Sequence, residues 1–231
     1  MRCSMINFKL YKDIVLKKID NQSNEKKLIK IVTNAQSIKR IEKETKVKLK
    51  KLGLDPRWSQ IGVVYQDQYL TIVRDAVVFP NGNEGTYIRT ISKNPENHGV
   101  AILAVNCGKI VILEHYRHAT QSFHYEIPRG FGDEKLTSLE NAKRELHEEI
   151  GCVLDSIVCL GEMYTNTGIT SEKVLLFFAK ISSIGQPDKE EGIKSIMLYS
   201  NNEMEAFINN GKINDSFTVN AYCLAKIKGL L

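Results

Sequence analysis

From Trp58 to Tyr199 the chain runs as short stretches of β-branched and aromatic residues alternating with polar ones, separated by turn signals, and this rhythm restricts the folds it can reach. IGVVYQ, YLTIVRDAVVF and TYIRTI read as strands because apolar residues recur at every second position. Pro80-Asn81-Gly82-Asn83, between the last two, is a hairpin turn, and Asn106-Cys107-Gly108 makes another between VAILAV and KIVILEHY. Further strands are expected near 154–163, 173–182 and 194–199, with a helix at about 138–150 and closing helices around 203–210 and 216–228. Hairpins this frequent exclude a doubly wound parallel sheet. An α/β layered sandwich around a mixed β-sheet fits.

Ahead of the strands, Leu28, Ile31, Ala35, Ile38 and Ile41 recur at three- and four-residue steps with Lys in the gaps. The spacing predicts an amphipathic helix within 23–52, with Ser23 or Asn24 as cap and Gly53 and Pro56 as stop. The composition shift beyond it divides the chain into a basic helical N-terminal extension, 1–54, and a main domain, 55–231, that opens on strands in 58–95. Residues 1–52 carry 15 Lys and Arg against 5 Asp and Glu, a charge of +10, and the remainder carries 17 against 22, or −5. A basic front can meet nucleic acid through residues 23–52, an anionic membrane surface or an acidic partner; a solvated helix face is the commoner fate of such runs. No apolar run approaches the ~20 residues a membrane span needs, so the expectation is a cytoplasmic protein without membrane contact. Five scattered cysteines (Cys3, Cys107, Cys152, Cys159, Cys223) argue against a disulfide framework and a zinc site.

The helix expected at 138–150 carries the chemistry. Thr137 with Glu140 makes a capping box, Gly151 ends the helix, and Leu139, Ala142, Leu146 and Ile150 form the face expected on the sheet. Glu145, Glu148 and Glu149 stand at i, i+3 and i+4, which brings their carboxylates within about 6 Å of one another. Arg144 can pair with Glu148 or Glu140, but one guanidinium cannot neutralise Glu140, Glu145, Glu148 and Glu149 together. A divalent cation can, and an all-oxygen donor set favours Mg²⁺ or Mn²⁺. The blander alternative is an acidic face turned to solvent. Just ahead lies YEIPRGFGDEK, whose Pro128, Gly130 and Gly132 make a tight path able to turn a main-chain carbonyl to a metal and N–H groups to phosphate oxygens.

Gly130 followed by Arg144-Glu145-Leu146-His147-Glu148-Glu149-Ile150-Gly151-Cys152 resembles the signature of the Nudix hydrolases, G-x5-E-x7-R-E-U-x-E-E-x-G-U, with U apolar. The second half matches in full; Leu136 stands where the first Glu belongs, with Asp133 and Glu134 nearby. Across roughly 58–231 the chain is similar to the ADP-ribose pyrophosphatase branch, in DQYLTIVRDAVVFPNGNEGTYIRT, EHYRHATQSFHYEIPRG, YTNTGITSEKVLLFFAKI and NGKINDSFTVNAYCLAKIKGL. Thr167 occupies the place of a Pro usual in that branch.

The resemblance implies a Nudix-type α/β/α sandwich with the loop and helix of the box at 130–152, and a homodimer sharing N-terminal strands. It implies Mg²⁺, two or three ions, on Glu145, Glu148, Glu149 and the carbonyl of Arg129. The reaction implied is hydrolysis of the pyrophosphate bond of a nucleoside diphosphate derivative: ADP-ribose, giving AMP and ribose 5-phosphate, or a related nucleoside diphosphate sugar. Catalysis falls to Glu149 with Glu191, then Glu190, of QPDKEEGIK as general base; Asp188 shares that stretch. Arg117 is a candidate clamp for phosphate or ribose, Glu126 for a sugar hydroxyl and Gly130 for phosphate oxygens, with Tyr65, Tyr69 and Phe79 as candidates for the base slot. His115, His118, His124 and His147 show no ligand spacing and read as non-catalytic. A non-catalytic binding or regulatory protein on the same scaffold, reaching nucleic acid through its basic front, is the alternative.

Overall fold

The computed structural model describes residues 8–91, 98–187 and 190–231. It falls into two compact units, residues 1–93 with 166–172 and residues 94–165 with 173–231.

In the first unit, α1 (Phe8–Ile14), α2 (Asn21–Glu25), β1 (Lys30–Ile31) and α3 (Ala35–Lys51) precede β2 (Gly62–Gln66), β3 (Thr71–Val78) and β4 (Glu84–Ile91). All pairings are antiparallel and centred on β3, which takes β4 along one edge and β2 and β1 along the other. The helix expected within 23–52 begins only at Ala35. Asn24, the expected cap, instead exchanges two hydrogen bonds with the main chain of Ile31, at 2.8 and 3.1 Å, and folds the chain back into β1. Asn34 then caps α3 by accepting the N–H groups of Gln36 and Ser37. Leu28, counted in the apolar stripe, is 81% exposed in the intervening turn.

Ile38 and Ile41 of α3 and Tyr11 and Val15 at the α1 end pack with Ile61, Val63, Val73 and Ala76 in one core. The compact grouping therefore joins the N-terminal helices to the strands 62–91 and differs from a 1–54/55–231 division. Under this core the buried Asp75 accepts from the Tyr11 hydroxyl and from Arg89 Nε, both at 2.6 Å. Burial and the Asp75 charge push the Tyr11 phenol up.

The second unit contains β5 (Gly99–Asn106), β6 (Lys109–Arg117), β7 (Ser122–Glu126), β8 (Arg129–Gly130), α4 (Ser138–Ile150), β9 (Val153–Tyr164), β10 (Lys173–Ser183), β11 (Ile193–Tyr199), α5 (Asn201–Asn209) and α6 (Ser216–Ile227). Its mixed sheet has the order β11-β6-β5-β10-β9, with β5 and β10 parallel. Cys107 and Gly108, at φ 48° and 74°, turn the β5–β6 hairpin in the left-handed region that a two-residue loop of this hand demands.

Successive residues of β5 alternate between two apolar cores. Ala101 and Leu103 join Tyr222, Ala225 and Met204 on the α5–α6 face, while Val100, Ile102 and Ala104 join Ala142, Leu146 and Ile150 of α4. A strand covered on both faces explains the unbroken apolar run VAILAV. This is the layered sandwich around a mixed sheet that the strand and helix pattern predicts, with the α/β/α order the resemblance implies. Leu139 departs from the expected packing face: in the first turn of α4 it is 41% exposed. Among the described residues no helix is long and apolar enough to cross a membrane.

The sheet also forks. β5 and β6 pair only at Val105↔Ile110 and Asn106↔Lys109. Beyond that, β5 takes β8 and β6 takes β7, so Arg117, Glu126 and Arg129 stand at neighbouring strand ends.

Candidate active site

The approach to α4 is pinned at successive main-chain groups. Ile127 N–H donates to Thr218 Oγ1 at 3.0 Å, Pro128 O accepts from Ile102 N–H at 2.8 Å, and Arg129 N–H donates to Glu149 Oε2 at 3.0 Å. Each contact satisfies a main-chain group at the approach to the helix. Gly130 then passes so close to α4 that a β-carbon on it would fall 2.1 Å from the carboxyl carbon of Glu145. That atom ends a flexible side chain, so a methyl group is accommodated by displacing the carboxylate. Gly130→Ala is therefore expected to cost no more than about 1 kcal/mol in urea unfolding, but to lower kcat/KM roughly 100-fold, as misplacement by an ångström does.

The loop that follows is held from the helix by the fully buried Asn141, a residue the sequence reading passed over. Its Oδ1 accepts from Asp133 N–H at 2.8 Å and its Nδ2 donates to Asp133 O at 3.2 Å. The Asp133 carboxylate accepts the N–H of Lys135. The α4 boundaries are those expected: Thr137 and Glu140 form the capping box, and Gly151, at φ 57°, closes the helix.

Two of the three carboxylates on the acidic face of α4 are turned away from solvent. Glu145 is 5% and Glu149 1% exposed, while Glu148 is exposed. Arg144 takes Glu148 at 2.7 Å and Glu145 at 2.5 Å and also donates to Phe131 O. Glu140 is engaged in the cap. Among the described residues no group of three or more His, Cys, Asp or Glu side chains is gathered as a metal site. Arg144 lies between two of the carboxylates instead. The charge balance still favours a further cation. Burial, opposed by the Arg129 N–H and reinforced by the charges of Glu145 and Glu191, pushes Glu149 up to about 8. Burial, opposed by Arg144 and reinforced by Glu148 and Glu191, also raises Glu145. Burial penalises the ionised form, and a bound divalent cation reverses that penalty.

At the fork of the sheet Glu126, 1% exposed, is enclosed by two arginines and an imidazole. Its Oε1 pairs with Arg117 and lies 3.2 Å from His115 Nδ1, and its Oε2 lies 3.3 Å from Arg129. The Arg129 guanidinium also stacks over the Phe217 ring at 4.6 Å. Burial works against ionisation of Glu126, but His115, Arg117 and Arg129 outweigh it and hold the carboxyl at about 2. So enclosed, Glu126 orients two arginines rather than facing a sugar hydroxyl. Among the described residues the Nε–H groups of Arg117 and Arg129 are buried without a hydrogen-bond partner.

A carboxyl whose folded pKa lies below its ordinary 4.5 stabilises the fold above that pH and loses the contribution as pH falls through the folded value. Glu126→Gln should therefore cost about 3 kcal/mol at pH 7, and the difference from wild type should shrink steadily between pH 4.5 and pH 2. Denaturant unfolding across that range measures it, and a pH-independent difference would contradict the ion cluster.

A model of the NUDIX domain matches residues 95–218. The chain belongs to the Nudix family. It is 29% identical over 128 residues to an ADP-ribose pyrophosphatase of Bacillus subtilis (strain 168), covering 55% of this chain and 67% of that one. It is 30% identical over 161 residues to a methanol dehydrogenase activator of Bacillus methanolicus, covering 68% and 84%. Among solved structures, an ADP compounds hydrolase superposes with a TM-score of 0.64 at 20% identity, covering 74% of this chain and 93% of the other, a likeness of fold.

In this Nudix protein the candidate residues fall into two places. Glu145, Glu149, Glu126, Arg117, Arg129 and Gly130 come together in the second unit, and the charge of the exposed Glu191 reaches Glu145 and Glu149. Glu190 is exposed beside it; Asp188 lies outside the described residues. Tyr65 and Tyr69 are exposed in the first unit, where Phe79 lies against Gly85 in its own hairpin. The segment 166–172 also belongs to that unit, where Gly168 and Ile169 bond to Tyr87 and Thr90. His118 and His124 hydrogen-bond within the β6–β7 turn. His115 does not fit the same description: it is buried and joins two parts of the site.

Proposed function

We propose that this Nudix protein hydrolyses the pyrophosphate bond of a nucleoside diphosphate derivative, ADP-ribose before other nucleoside diphosphate sugars, releasing AMP and ribose 5-phosphate. The observation that carries the reading is the burial of Glu145 and Glu149 around Gly130, with Arg144 as the cation taking Glu145 and, among the described residues, no side-chain cation bonded to Glu149. Family membership and the pyrophosphatase relative support hydrolysis of a pyrophosphate bond in general.

Glu145, Glu148, Glu149 and the Arg129 carbonyl would hold Mg²⁺, with Mn²⁺ as substitute, which when bound neutralises the diphosphate and acidifies water. Arg117 and Arg129, steadied by Glu126, are the cations that bind phosphate oxygens. Gly130 carries no side chain, which leaves room for the Glu145 carboxylate against its main chain. Glu191, with Glu190 as the second candidate, accepts the proton of the attacking water, whose oxygen forms a bond to one phosphorus as the bridging oxygen leaves with the other. By the same family resemblance the active form is a homodimer.

One specific likeness favours a second reading, a regulatory protein on this scaffold, because a relative matched over 84% of its length is named an activator. A phosphatase-coupled phosphate-release screen over nucleoside diphosphate sugars and dinucleotides, with Mg²⁺ or Mn²⁺, separates the two. The hydrolase reading expects release with ADP-ribose among the best substrates. Silence across the panel, together with nucleic-acid binding that weakens steeply with salt, would favour the regulatory one.

A further inference from the structure

His115 is 2% exposed in β6, and both of its ring nitrogens face oxygen. Nδ1 lies 3.2 Å from Glu126 Oε1, and Nε2 lies 2.9 Å from the main-chain oxygen of Glu191. A carbonyl oxygen only accepts, so the Nε2 contact requires the proton on that nitrogen. The next residue repeats the tether: Tyr116 N–H donates to Gly192 O at 3.0 Å. Gly192 adopts φ +86°, a conformation an L side chain resists, and a β-carbon there would fall 3.5 Å from Tyr116 O and 4.0 Å from His115 Cδ2. Two successive residues of β6 thus hold the carbonyls of two successive residues, 191 and 192. The side chain of Glu191 meanwhile acts electrostatically on Glu145 and Glu149. On its other side the ring abuts Glu126, which Arg117 and Arg129 hold. The imidazole therefore spans from the arginine cluster to the backbone of the proposed base.

We propose that His115 is a positioning residue that fixes the main chain of Glu191 through Nε2–H, and so sets where the Glu191 carboxylate stands relative to Glu145 and Glu149. The inference rests on the hydrolase reading with Glu191 as base. It gives a role to an imidazole that sequence spacing dismisses, and it makes the placement of the base depend on the residues that grip phosphate.

Two amides separate the functions of the ring. In His115→Gln the amide nitrogen reaches the place of Nε2; in His115→Asn it reaches only that of Nδ1. Both keep a polar group in the cavity. The measurements are kcat and KM for ADP-ribose with Mg²⁺, and hydrogen exchange of the amides at 190–193. For His115→Asn we expect kcat to fall about 30-fold with KM little changed, as for a group acting through geometry, and exchange at 190–193 to accelerate about tenfold while α4 is unaffected. His115→Gln should lie within about threefold of wild type in both readouts. On a Glu191→Ala background His115→Asn should change kcat less than about twofold, because nothing is left to position.

Equal losses for the two amides, equal losses with and without Glu191, a rise in KM alone, or unchanged exchange would each overturn the proposal. A wild-type protein that hydrolyses no nucleoside diphosphate derivative would overturn the hydrolase reading and the catalytic half of the proposal with it. The exchange comparison would still decide the tether.

Discussion

Glu149→Gln should lower turnover by about 10³-fold or more while leaving the fold intact, because it removes a carboxylate that would hold the divalent cation and keeps the shape of the side chain. The amide oxygen can still accept the N–H of Arg129, the hydrogen bond that Glu149 makes at 3.0 Å. The same substitution should raise stability in metal-free buffer. A carboxyl whose folded pKa is about 8 against an ordinary 4.5 is fully compatible with the fold below pH 4.5 and costs progressively more as pH rises toward 8. The glutamine variant carries no such cost, so its advantage over wild type should be absent near pH 4.5 and reach a few kcal/mol by pH 8. Added Mg²⁺ should stabilise the wild type more than the variant, since an ion bound to the folded state alone shifts the equilibrium by mass action. Thermal melts across pH, with and without Mg²⁺, test all three points; a variant that melts well below wild type in metal-free buffer at pH 8 would contradict them.

Deleting residues 1–54 should unfold the first unit rather than trim an appendage. Tyr11, Val15, Ile38 and Ile41 would leave the core they share with Ile61, Val63, Val73 and Ala76, and Asp75 would lose the Tyr11 hydroxyl. At about 2 kcal/mol for each buried apolar side chain, the loss approaches the whole stability of a small domain. The truncated protein should therefore show fast amide exchange throughout 62–91, or come out of expression insoluble. Wild-type protection in those strands would show that residues 8–51 contribute little.

What the sequence made legible were features coded by spacing within one element. Alternation located β2, β3 and β4, apolar runs on either side of the Asn106-Cys107-Gly108 turn located β5 and β6, and Thr137, Glu140 and Gly151 located both ends of α4. Its carboxylate spacing was legible for the same reason. What escaped depends on partners far along the chain. Asn24 reads as a helix cap but spends its amide on Ile31, which breaks the expected helix and makes β1. Arg129 and Gly130 form a two-residue strand only because β5 accepts them. The burial of Glu126 follows from the fork of the sheet, and its cationic shell changes its reading from a sugar ligand to a support for Arg117 and Arg129. His115 escaped because ligand spacing is the wrong signal for an imidazole whose partners lie 11 and 76 residues away.

The most direct measurement of the account is the ³¹P spectrum of ADP-ribose incubated with the full chain and Mg²⁺, followed over time, with Glu149→Gln alongside. The account predicts that the two diphosphate resonances give way to two monophosphate resonances, those of AMP and ribose 5-phosphate, only when Mg²⁺ and Glu149 are both present. A diphosphate that persists with Mg²⁺ and wild-type protein, or one that is cleaved equally well by the glutamine variant, would contradict it.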